Sequence, residues 1–404
     1  MTDVKGSVLV LYNFVGEDEY ERLKDVDPTS LDFEPEYDID VTTVMQEYRA
    51  VGRALRRQGY HVRSVNIKDN LTKLENLIRR NKSDVVFNLI EFFHDDTEFE
   101  PNVAALFELH QVAYTGSGPL ALAMCRNKVL TKRQLLAYEV PTPRFVVVDE
   151  PRMPKRPKLR FPLIVKPPLE DASSGVEQGS VVHDAEALEQ RLAYVHREFG
   201  APILVEEFLD GPELHVGILG NDPPEMLPPI QWDFSEMPED HPHIISFAAK
   251  WNPLAEVFHR VHSICPPKLP RRVLRKVEQV AIDAYDVLGC RDYARLDIRL
   301  DRQGHPFVLE ANPNPDLTEG VSYMESAEAA GLTFGETLER IVEFALRRKR
   351  DLDDLRAQRR KKPARRPPAS PEAVAATLDG YPEAPSNEPT AGPGPEATQH
   401  EPPS

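Results

Sequence analysis

Two segments near residue 300 alternate apolar with charged or polar side chains, a period of two that a β-strand separates onto opposite faces. The first segment reads YARLDIRLD over residues 293–301, and the second reads PFVLEAN over residues 306–312. Arg295 and Asp297 share one parity in the first strand, as Glu310 and Asn312 do in the second. If the two strands are neighbours, we expect Asp297, Glu310 and Asn312 to point at one place, with Arg295 beside them.

Those three side chains form an all-oxygen ligand set. Hard, charged oxygen donors suit Mg²⁺ or Mn²⁺, and a protein-bound Mg²⁺ usually shares its coordination shell with substrate phosphates. Arg295 would neutralise negative charge that develops at such a site. The alternative is an ordinary sheet with surface acids and a turn, because the two Asn-Pro pairs at residues 312–315 also favour turns.

Two further segments carry side chains suited to phosphates and hydroxyl groups. Lys166 ends the apolar strand PLIVK. The loop EDASSGVEQGS, here called the small loop, follows at residues 170–180. Small residues let backbone N–H groups approach an anion, although such a loop taken alone is more often a simple turn. The segment VEEFLDGPEL at residues 205–214 ends a strand in carboxylates that can accept hydrogen bonds from a sugar. Its alternative interpretation is a hairpin with a solvated acidic tip.

Composition limits the classes of function. Strand and helix patterns alternate over about the first 350 residues, which predicts α/β units. The formal net charge of −17 argues against nucleic acid as a partner. Three widely spaced cysteines predict no disulfide framework and fit a cytoplasmic compartment. No apolar run approaches the ~20 residues that span a bilayer, so no membrane partner is expected. From about residue 363 the chain is rich in Pro, Ala and Glu, and we expect disorder there.

The order of these features along residues 8–346 resembles that of the ATP-grasp superfamily, and within it the D-alanine–D-alanine ligase-like branch. The stretches AYTGSGPLALAMCRNKVLTK (113–132) and VPTPRF (140–145) are also typical of that branch. The resemblance implies a mixed α/β and α+β protein with the ATP-grasp fold. Its predicted parts are an N-terminal open α/β (pre-ATP-grasp) domain at 1–122, a central subdomain at 123–210, a C-terminal subdomain with the metal site at 211–350, and a basic, then Pro-rich disordered tail at 351–404.

The resemblance also implies roles for individual residues. ATP and two Mg²⁺ (or Mn²⁺) ions would lie between the two subdomains, with the metal on Asp297, Glu310 and Asn312. The implied ATP-binding residues are Lys128 and Lys166 at the phosphates, Ser173, Ser174 and Gly175 in the small loop, Glu206, Glu207, Phe208 and Leu209 at the adenine, Glu213 at the ribose, and Lys250 in a loop that closes over the phosphates. Arg295, Lys250 and Ser173 are the implied catalytic residues.

The activity that this resemblance implies is the ATP-dependent ligation of a small carboxylate to a small amine through an acyl phosphate; a homodimer is left open. Several positions depart from the family pattern. Asp171 and Ala172 stand in the small loop where the family has glycine and serine, and Asp316 follows Pro315 where it has glycine. These departures concern the substrate side more than the ATP side.

The first domain also lacks the family's Gly-rich segments and carries NLIEFFHDDTEFEP at residues 88–101 instead. Its Glu91, His94, Asp95 and Asp96 favour an amine or cationic amino acid as acceptor, or else they belong to a solvated loop. Two other functions stay open: a genuine D-alanine–D-alanine ligase of cell-wall synthesis, and a regulatory protein that binds nucleotide without turnover.

Overall fold

The computed structural model describes residues 4–16, 23, 26–37, 43–155, 157–170, 173–238 and 241–361. The chain divides into two compact units, Met1–Leu352 and Asp353–Ser404. Of the second unit the structure describes only the end of the last helix, which runs Phe334–Lys361. This helix passes the boundary predicted at residue 351. The predicted disordered stretch from residue 363, like Asp171 and Ala172, lies outside the described residues.

The N-terminal part forms a three-stranded parallel sheet in the order β2-β1-β3. Helix α1 begins at a capping box in which Thr43 and Gln46 satisfy each other's backbone N–H groups. An open parallel sheet with helical connections is the predicted N-terminal architecture. The elements are β1 (Gly6–Tyr12), α1 (Val44–Arg57), β2 (Tyr60–Asn66), α2 (Leu71–Arg79), β3 (Val85–Leu89) and α3 (Glu100–Leu109).

The middle part carries a four-stranded antiparallel sheet in the order β4-β7-β5-β6. Helix α6 packs on this sheet; Asp184 caps its N-terminus, and Gly200 ends it with φ of 77°. The elements are α4 (Pro119–Arg126), α5 (Lys128–Ala137), β4 (Phe145–Val148), β5 (Leu163–Lys166), β6 (Val181–Val182), α6 (Ala185–Phe199) and β7 (Ile203–Glu207).

The last part is built on a six-stranded sheet in the order β11-β10-β8-β12-β13, with β9 paired to β8. Between β9 and α9 the chain forms β10, α7, α8 and β11. No helix in the described part of the chain is both long and apolar enough to cross a membrane. The elements are β8 (Glu213–Leu219), β9 (Glu225–Met226), β10 (Ile230–Asp233), α7 (Phe247–Trp251), α8 (Glu256–His259), β11 (His262–Ile264), α9 (Arg271–Val287), β12 (Tyr293–Leu300), β13 (Pro306–Asn312), α10 (Ser322–Ala329) and α11 (Phe334–Lys361).

The segment at residues 205–214 is not a hairpin. Strand β7 pairs with β4 and β5, whereas β8 pairs with β10 and β12, so the chain passes from one sheet to the other between them. Glu206 and Glu213 of this segment are therefore buried between two sheets, whereas Asp210, in the connection, is exposed and pairs with Arg302.

Strand β12 is buried on both faces. On one face, Ala294, Leu296, Ile298 and Leu300 join Ala281 and Tyr285 of α9 in a hydrophobic core. The opposite face carries Arg295, Asp297 and Arg299, all of them buried. A buried charge needs a partner, so this face must be satisfied by neighbouring side chains or by ligands.

The N-terminal sheet and the six-stranded sheet share one hydrophobic core, to which Val10 and Phe87 contribute from the first and Leu219 and Tyr293 from the second. Polar contacts reinforce this junction. Asn314 accepts a hydrogen bond from the backbone N–H of Ser117 (3.0 Å) and donates one to Glu100 Oε1 (2.9 Å). The four-stranded sheet instead has a core of its own, built with α6.

Candidate active site

A cleft lies where β5 and β7 of the four-stranded sheet face β8, β12 and β13 of the six-stranded sheet. Most of the predicted site residues line it: Lys128, Lys166, Ser173, Ser174, Glu206, Glu207, Phe208, Leu209, Glu213, Lys250, Asp297 and Glu310. Gly175, Arg295 and Asn312 adjoin the lining residues in the same loop and strands. The fold thus brings together side chains as far apart in sequence as Lys128 and Glu310, which are 182 residues apart (310 − 128).

The acidic end of the cleft is set by the pairing of β12 with β13. In this antiparallel pair Asp297 lies opposite Glu310, and Arg295 lies opposite Asn312. Arg295 donates two hydrogen bonds to Asp297, with Nε 2.7 Å from Oδ1 and Nη2 2.9 Å from Oδ2. Asn312 Nδ2 is 3.4 Å from Asp297 Oδ2. The alternation seen in the sequence therefore corresponds to one charged cluster in space.

Lys128 joins this cluster from the first turn of α5. Its ammonium lies 3.2 Å from Glu310 Oε2 and donates to the backbone carbonyl of Glu170 at 2.6 Å. Burial alone would raise the pKa of Glu310, but the charges of Lys128, Lys166 and Arg295 hold it well below its usual range. Glu310 is therefore an anion at every physiological pH.

Glu206 forms the centre of a buried ion triad. Its two carboxylate oxygens lie 2.8 Å from the ammonium groups of Lys132 and Lys166. Burial would raise the pKa of Glu206, yet the two lysines together lower it. Its side chain thus positions Lys166 and is not turned toward a base, so any adenine contact in this segment falls to the backbone and to Phe208 and Leu209.

Glu213 forms an ion pair with Arg299, a residue that the sequence analysis did not identify. Their side chains are 2.8 Å apart, and the Arg299 guanidinium also lies over the Phe208 ring at 4.6 Å. Burial raises the pKa of Glu213, against the opposing effect of Arg299. Arg299 has the same strand parity as Arg295 and Asp297, a signal that could have identified it.

Arg191 of α6 holds the small loop in place through hydrogen bonds and an ion pair. Arg191 donates to the carbonyl of Gly175 and to the Ser180 hydroxyl, both at 2.8 Å, and pairs with Glu177. Ser173 and Gly175 both have positive φ, of 66° and 71°. A Cβ at Gly175 would lie 2.7 Å from Pro167 Cγ, so this turn requires glycine.

Lys250 reaches the cleft from α7, which is coupled to the small loop. The backbone N–H of Phe247 donates to the carbonyl of Val176 at 3.2 Å. Burial and the nearby charge of Arg295 lower the pKa of Lys250, whereas Asp297 and Glu310 raise it. The segment predicted to close over the phosphates is therefore directly connected to the small loop.

Comparison with known proteins places this geometry in a family. The family model described as D-ala D-ala ligase C-terminus matches residues 136–343. The chain is 30% identical over 305 residues to a D-alanine–D-alanine ligase of Desulforudis audaxviator, covering 74% of this chain and 92% of that protein. The chain belongs to the D-alanine–D-alanine ligase family.

A further relative by sequence and two solved structures of similar fold also match the chain. An uncharacterized protein of Sinorhizobium fredii is 35% identical over 266 residues, covering 66% of this chain and 76% of that protein. The crystal structure of D-alanine–D-alanine ligase from Bacillus anthracis matches with a TM-score of 0.62 at 21% identity, covering 86% of this chain and 99% of that chain. The same enzyme complexed with ATP gives a TM-score of 0.61 at 20% identity.

The predicted ATP-grasp fold is confirmed by these matches. As a member of the family, the chain is an ATP-dependent carbon–nitrogen ligase that uses ATP and a divalent metal. The alternative of a nucleotide-binding protein without turnover is set aside.

The acidic end of the cleft fits the divalent metal of the D-alanine–D-alanine ligase family. Burial raises the pKa of Asp297, and the neighbouring charge of Glu310 adds to the rise, against Arg295. The carboxylates of Asp297 and Glu310 on adjacent strands repel each other, and a hard dication bound between them would relieve that repulsion. Asn312 offers a neutral amide oxygen beside them.

The walls of the cleft likewise fit ATP. Lys128, Lys166 and Lys250 supply positive charge for phosphates, and Glu213 supplies a carboxylate for a hydroxyl group. The side chains that line the cleft form ion pairs with one another, and the free volume left between them is about 90 Å³. The ion pair between Lys128 and Glu310 is one of those that cross this space.

A larger cavity of about 790 Å³, here called the acidic cavity, lies between the N-terminal sheet and the loop after β13. Its charged lining comprises five carboxylates, on Glu47, Glu91, Glu100, Asp316 and Glu319, and two guanidinium groups, on Arg49 and Arg53. Asp316 also accepts hydrogen bonds from the backbone N–H and hydroxyl of Thr318 at 2.8 and 2.7 Å. The residue that departs from the family pattern thus shapes this cavity.

Only one of the four residues noted in the segment at 88–101 lines the acidic cavity. Glu91 does, whereas Asp96 caps a short turn through the Glu98 N–H at 2.7 Å and lies 3.6 Å from Arg126. His94 lies 3.8 Å from Asp69, and both His94 and Asp95 have positive φ. His94, Asp95 and Asp96 therefore lie in a tight turn outside the acidic cavity, which agrees with the alternative of a solvated loop for these three residues.

Proposed function

We propose that this ligase joins a small carboxylate to a cationic amine. The observation that carries the proposal is the acidic cavity, in which five carboxylates outnumber two guanidinium groups beside Asp316. Charge of this sign favours an acceptor with a second amino or guanidino group that stays protonated while the attacking nitrogen is neutral. Its volume of about 790 Å³ also exceeds what an alanine requires.

The proposed reaction has two steps. A carboxylate oxygen of one substrate attacks the γ-phosphorus of ATP, and the bond to the bridging oxygen breaks to release ADP. The amine nitrogen of the other substrate attacks the acyl carbon, phosphate leaves, and the nitrogen loses a proton to give the amide. No protein nucleophile is needed, so the protein acts by positioning groups and neutralising charge.

The roles of the site residues follow from their positions. Asp297, Glu310 and Asn312 would hold the metal, which we take to be two Mg²⁺ (or Mn²⁺) ions that neutralise the phosphates when bound. Lys128 and Lys166 would bind the phosphates, with Ser173, Ser174 and the Gly175 turn beside them. Glu207, Phe208 and Leu209 would contact adenine, and Glu213 would contact ribose.

Arg295 and Lys250 complete the proposed site on the substrate side. Arg295 is oriented by its two hydrogen bonds to Asp297 and would neutralise the reacting carboxyl group. Lys250 would close over the phosphates together with the small loop, and Ser173 would contact the transferred group.

We also propose that the chain has an N-terminal domain at 1–122 and ATP-grasp subdomains at 123–210 and 211–350. We further propose a cytoplasmic location, which the free thiols of Cys125, Cys265 and Cys290 favour. Sedimentation velocity decides between a monomer and a homodimer.

Release of ADP and phosphate tests the proposed reaction. The protein is incubated with Mg-ATP and a panel of D-alanine, basic amino acids, diamines and dicarboxylic amino acids, and products are identified by mass spectrometry. We expect basic acceptors to give an amide at least about tenfold faster than the others, as one charge-assisted hydrogen bond of ~1.5 kcal/mol supplies. Faster ligation of dicarboxylic acceptors would contradict the proposal. Asp297→Asn is the control, which should fold but not turn over.

A genuine D-alanine–D-alanine ligase is the second candidate. It is favoured by relatives of that name, one of them 30% identical over 309 residues. D-Alanine supplied as the sole substrate discriminates between the two candidates. Formation of the dipeptide at the rate of the best other pair would favour this candidate over the first.

A further inference from the structure

We propose that a second cavity beside the cleft binds the carboxylate substrate, and that this substrate carries an aromatic or other bulky apolar group. The cavity, here called the aromatic cavity, measures about 510 Å³ and is lined by Tyr37, Trp232, Trp251 and Phe258. The inference rests on the proposed ligase function and names the chemical class of one of its substrates.

The aromatic wall is assembled from separate elements and is held in place. Trp232 comes from β10, Trp251 from α7, Phe258 from α8, and Tyr37 from the segment before α1. The Tyr37 hydroxyl is 2.6 Å from His262 Nδ1, and its backbone N–H donates to His259 Nδ1 at 3.1 Å. The Tyr37 and Phe258 rings meet edge to face at 6.2 Å. Ordered aromatic rings of this kind bind an apolar group at low entropic cost.

One end of the aromatic cavity is the reacting centre itself. His215 and Lys250 line both the cleft and the aromatic cavity, and Arg295 lines the aromatic cavity. Arg295 and Lys250 are the two cationic side chains that line this cavity among the described residues, and both lie at the end next to the cleft. Four carboxylates line the cavity as well: Glu47, Asp316 and Glu319, which it shares with the acidic cavity, and Glu325, which accepts a hydrogen bond from the Ser263 hydroxyl. A substrate carboxylate bound to Arg295 and Lys250 would lie beside Asp297 and the proposed phosphate site, with its apolar group directed toward the rings.

Trp232 supplies an independent indication of a polar ligand. Its indole N–H is buried and has no hydrogen-bond partner among the residues that the structure describes. Buried indole N–H groups normally have an acceptor. The ring meets His215 edge to face at 5.1 Å, and His215 lines both this cavity and the cleft. An oxygen of a bound carboxylate substrate would satisfy the indole N–H.

The two cavities differ in chemistry and share a border. Glu47, Trp251, Asp316, Thr318 and Glu319 line both. The acidic cavity suits a cationic amine. In the aromatic cavity the rings and the two cations Lys250 and Arg295 suit an apolar carboxylate, whereas three of its four carboxylates lie on the border that it shares with the acidic cavity. The volume of about 510 Å³ is in the range that encloses drug-sized ligands, well above the requirement of a methyl side chain.

Intrinsic fluorescence tests this assignment directly. The chain has two tryptophans, and both line the aromatic cavity. Trp251→Phe leaves Trp232, which borders the aromatic cavity alone. The full-length variant, with Mg²⁺ and a non-hydrolysable ATP analogue, is titrated with 3-phenylpropionate, D- and L-phenylalanine, and D-alanine. We expect a saturable change in Trp232 emission with the aromatic carboxylates and affinity at least tenfold weaker for D-alanine.

Two matched variants locate the bound ligand. Trp232→Phe leaves Trp251, which borders both cavities. A diamine that enters the acidic cavity should therefore change the emission of Trp251 in this variant. The same diamine should leave the emission of Trp232 in the Trp251→Phe variant unaffected. Ala249→Leu adds volume inside the aromatic cavity and should weaken 3-phenylpropionate at least tenfold while leaving analogue binding intact.

The outcomes separate this inference from the proposed function. Equal responses to 3-phenylpropionate and D-alanine, or no response to either, would overturn the inference even if ATP-dependent ligation of a basic amine is observed. Saturable binding of aromatic carboxylates at Trp232 in a protein that never releases ADP would instead support the cavity and reject the ligation.

Discussion

Replacing Lys132 with methionine removes a fully buried ammonium group that lies 2.8 Å from Glu206. Burial lowers the pKa of Lys132 from 10.5 to about 8, although the charge of Glu206 opposes this. Once unfolded, the group regains its ordinary pKa. In the interval between these two values the unfolded state binds a proton that the folded state has lost. The free energy of unfolding contributed by Lys132 therefore rises with pH across the interval.

The size of the effect follows from the two pKa values. Each pKa unit corresponds to ~1.4 kcal/mol, so the interval from about pH 8 to 10.5 is worth about 3 kcal/mol. We expect the difference in unfolding free energy, wild type minus Lys132→Met, to increase by that amount. Urea denaturation of both proteins at several pH values between about 7 and 10.5 measures it.

Taking a difference removes the effect of other titrating groups. Burial raises the pKa of tyrosines such as Tyr285 and Tyr323, which destabilises both proteins alike at high pH. Lys158→Met, at an exposed position, is the control and should show no such trend. A difference that is flat or falls with pH would mean that the ion pair, and not desolvation, dominates the ionisation of Lys132.

Three further substitutions probe the site. Glu310→Gln removes the partner of Lys128, and we expect calorimetry to show at least a tenfold rise in the Mg²⁺ concentration required for nucleotide binding; an unchanged requirement would contradict the metal assignment. Gly175→Ala places a Cβ 2.7 Å from Pro167 at φ of 71°, which costs ~1–2 kcal/mol and should weaken nucleotide binding about tenfold without changing the circular dichroism spectrum. Asp316→Gly restores the family residue and removes one carboxylate from the acidic cavity, so the ratio of kcat/KM for basic acceptors to that for D-alanine should fall about tenfold; a ratio that stays constant would separate Asp316 from acceptor choice.

Strand parity made the acidic end of the site predictable. Arg295, Asp297, Glu310 and Asn312 each lie on one face of a strand, and the antiparallel register then places Asp297 opposite Glu310. A period of two is a property of the sequence, so the meeting of these residues required one assumption, that the strands are neighbours.

Contacts between distant elements were not predictable in the same way. Lys132 lies one helical turn after Lys128, which in sequence is equally typical of a solvated helix face. Its partner Glu206 is 74 residues away in another element, and Arg191 reaches the small loop from the buried face of α6. The sequence indicates that such charges exist, but their burial depends on how two sheets pack.

The separate hydrophobic cores have a mechanical consequence. The N-terminal and six-stranded sheets share one hydrophobic core, and hydrogen bonds of Asn314 join them. Together they form one unit, here called the base. The four-stranded sheet has a core of its own, and polar contacts join it to the base, among them the hydrogen bond from the Phe247 N–H to the carbonyl of Val176. The Lys132–Glu206 ion pair is another of these contacts and connects α5, which packs on the six-stranded sheet, to β7. Opening for a nucleotide should therefore swing Lys166 and the small loop away while Asp297 and Glu310 stay where they are.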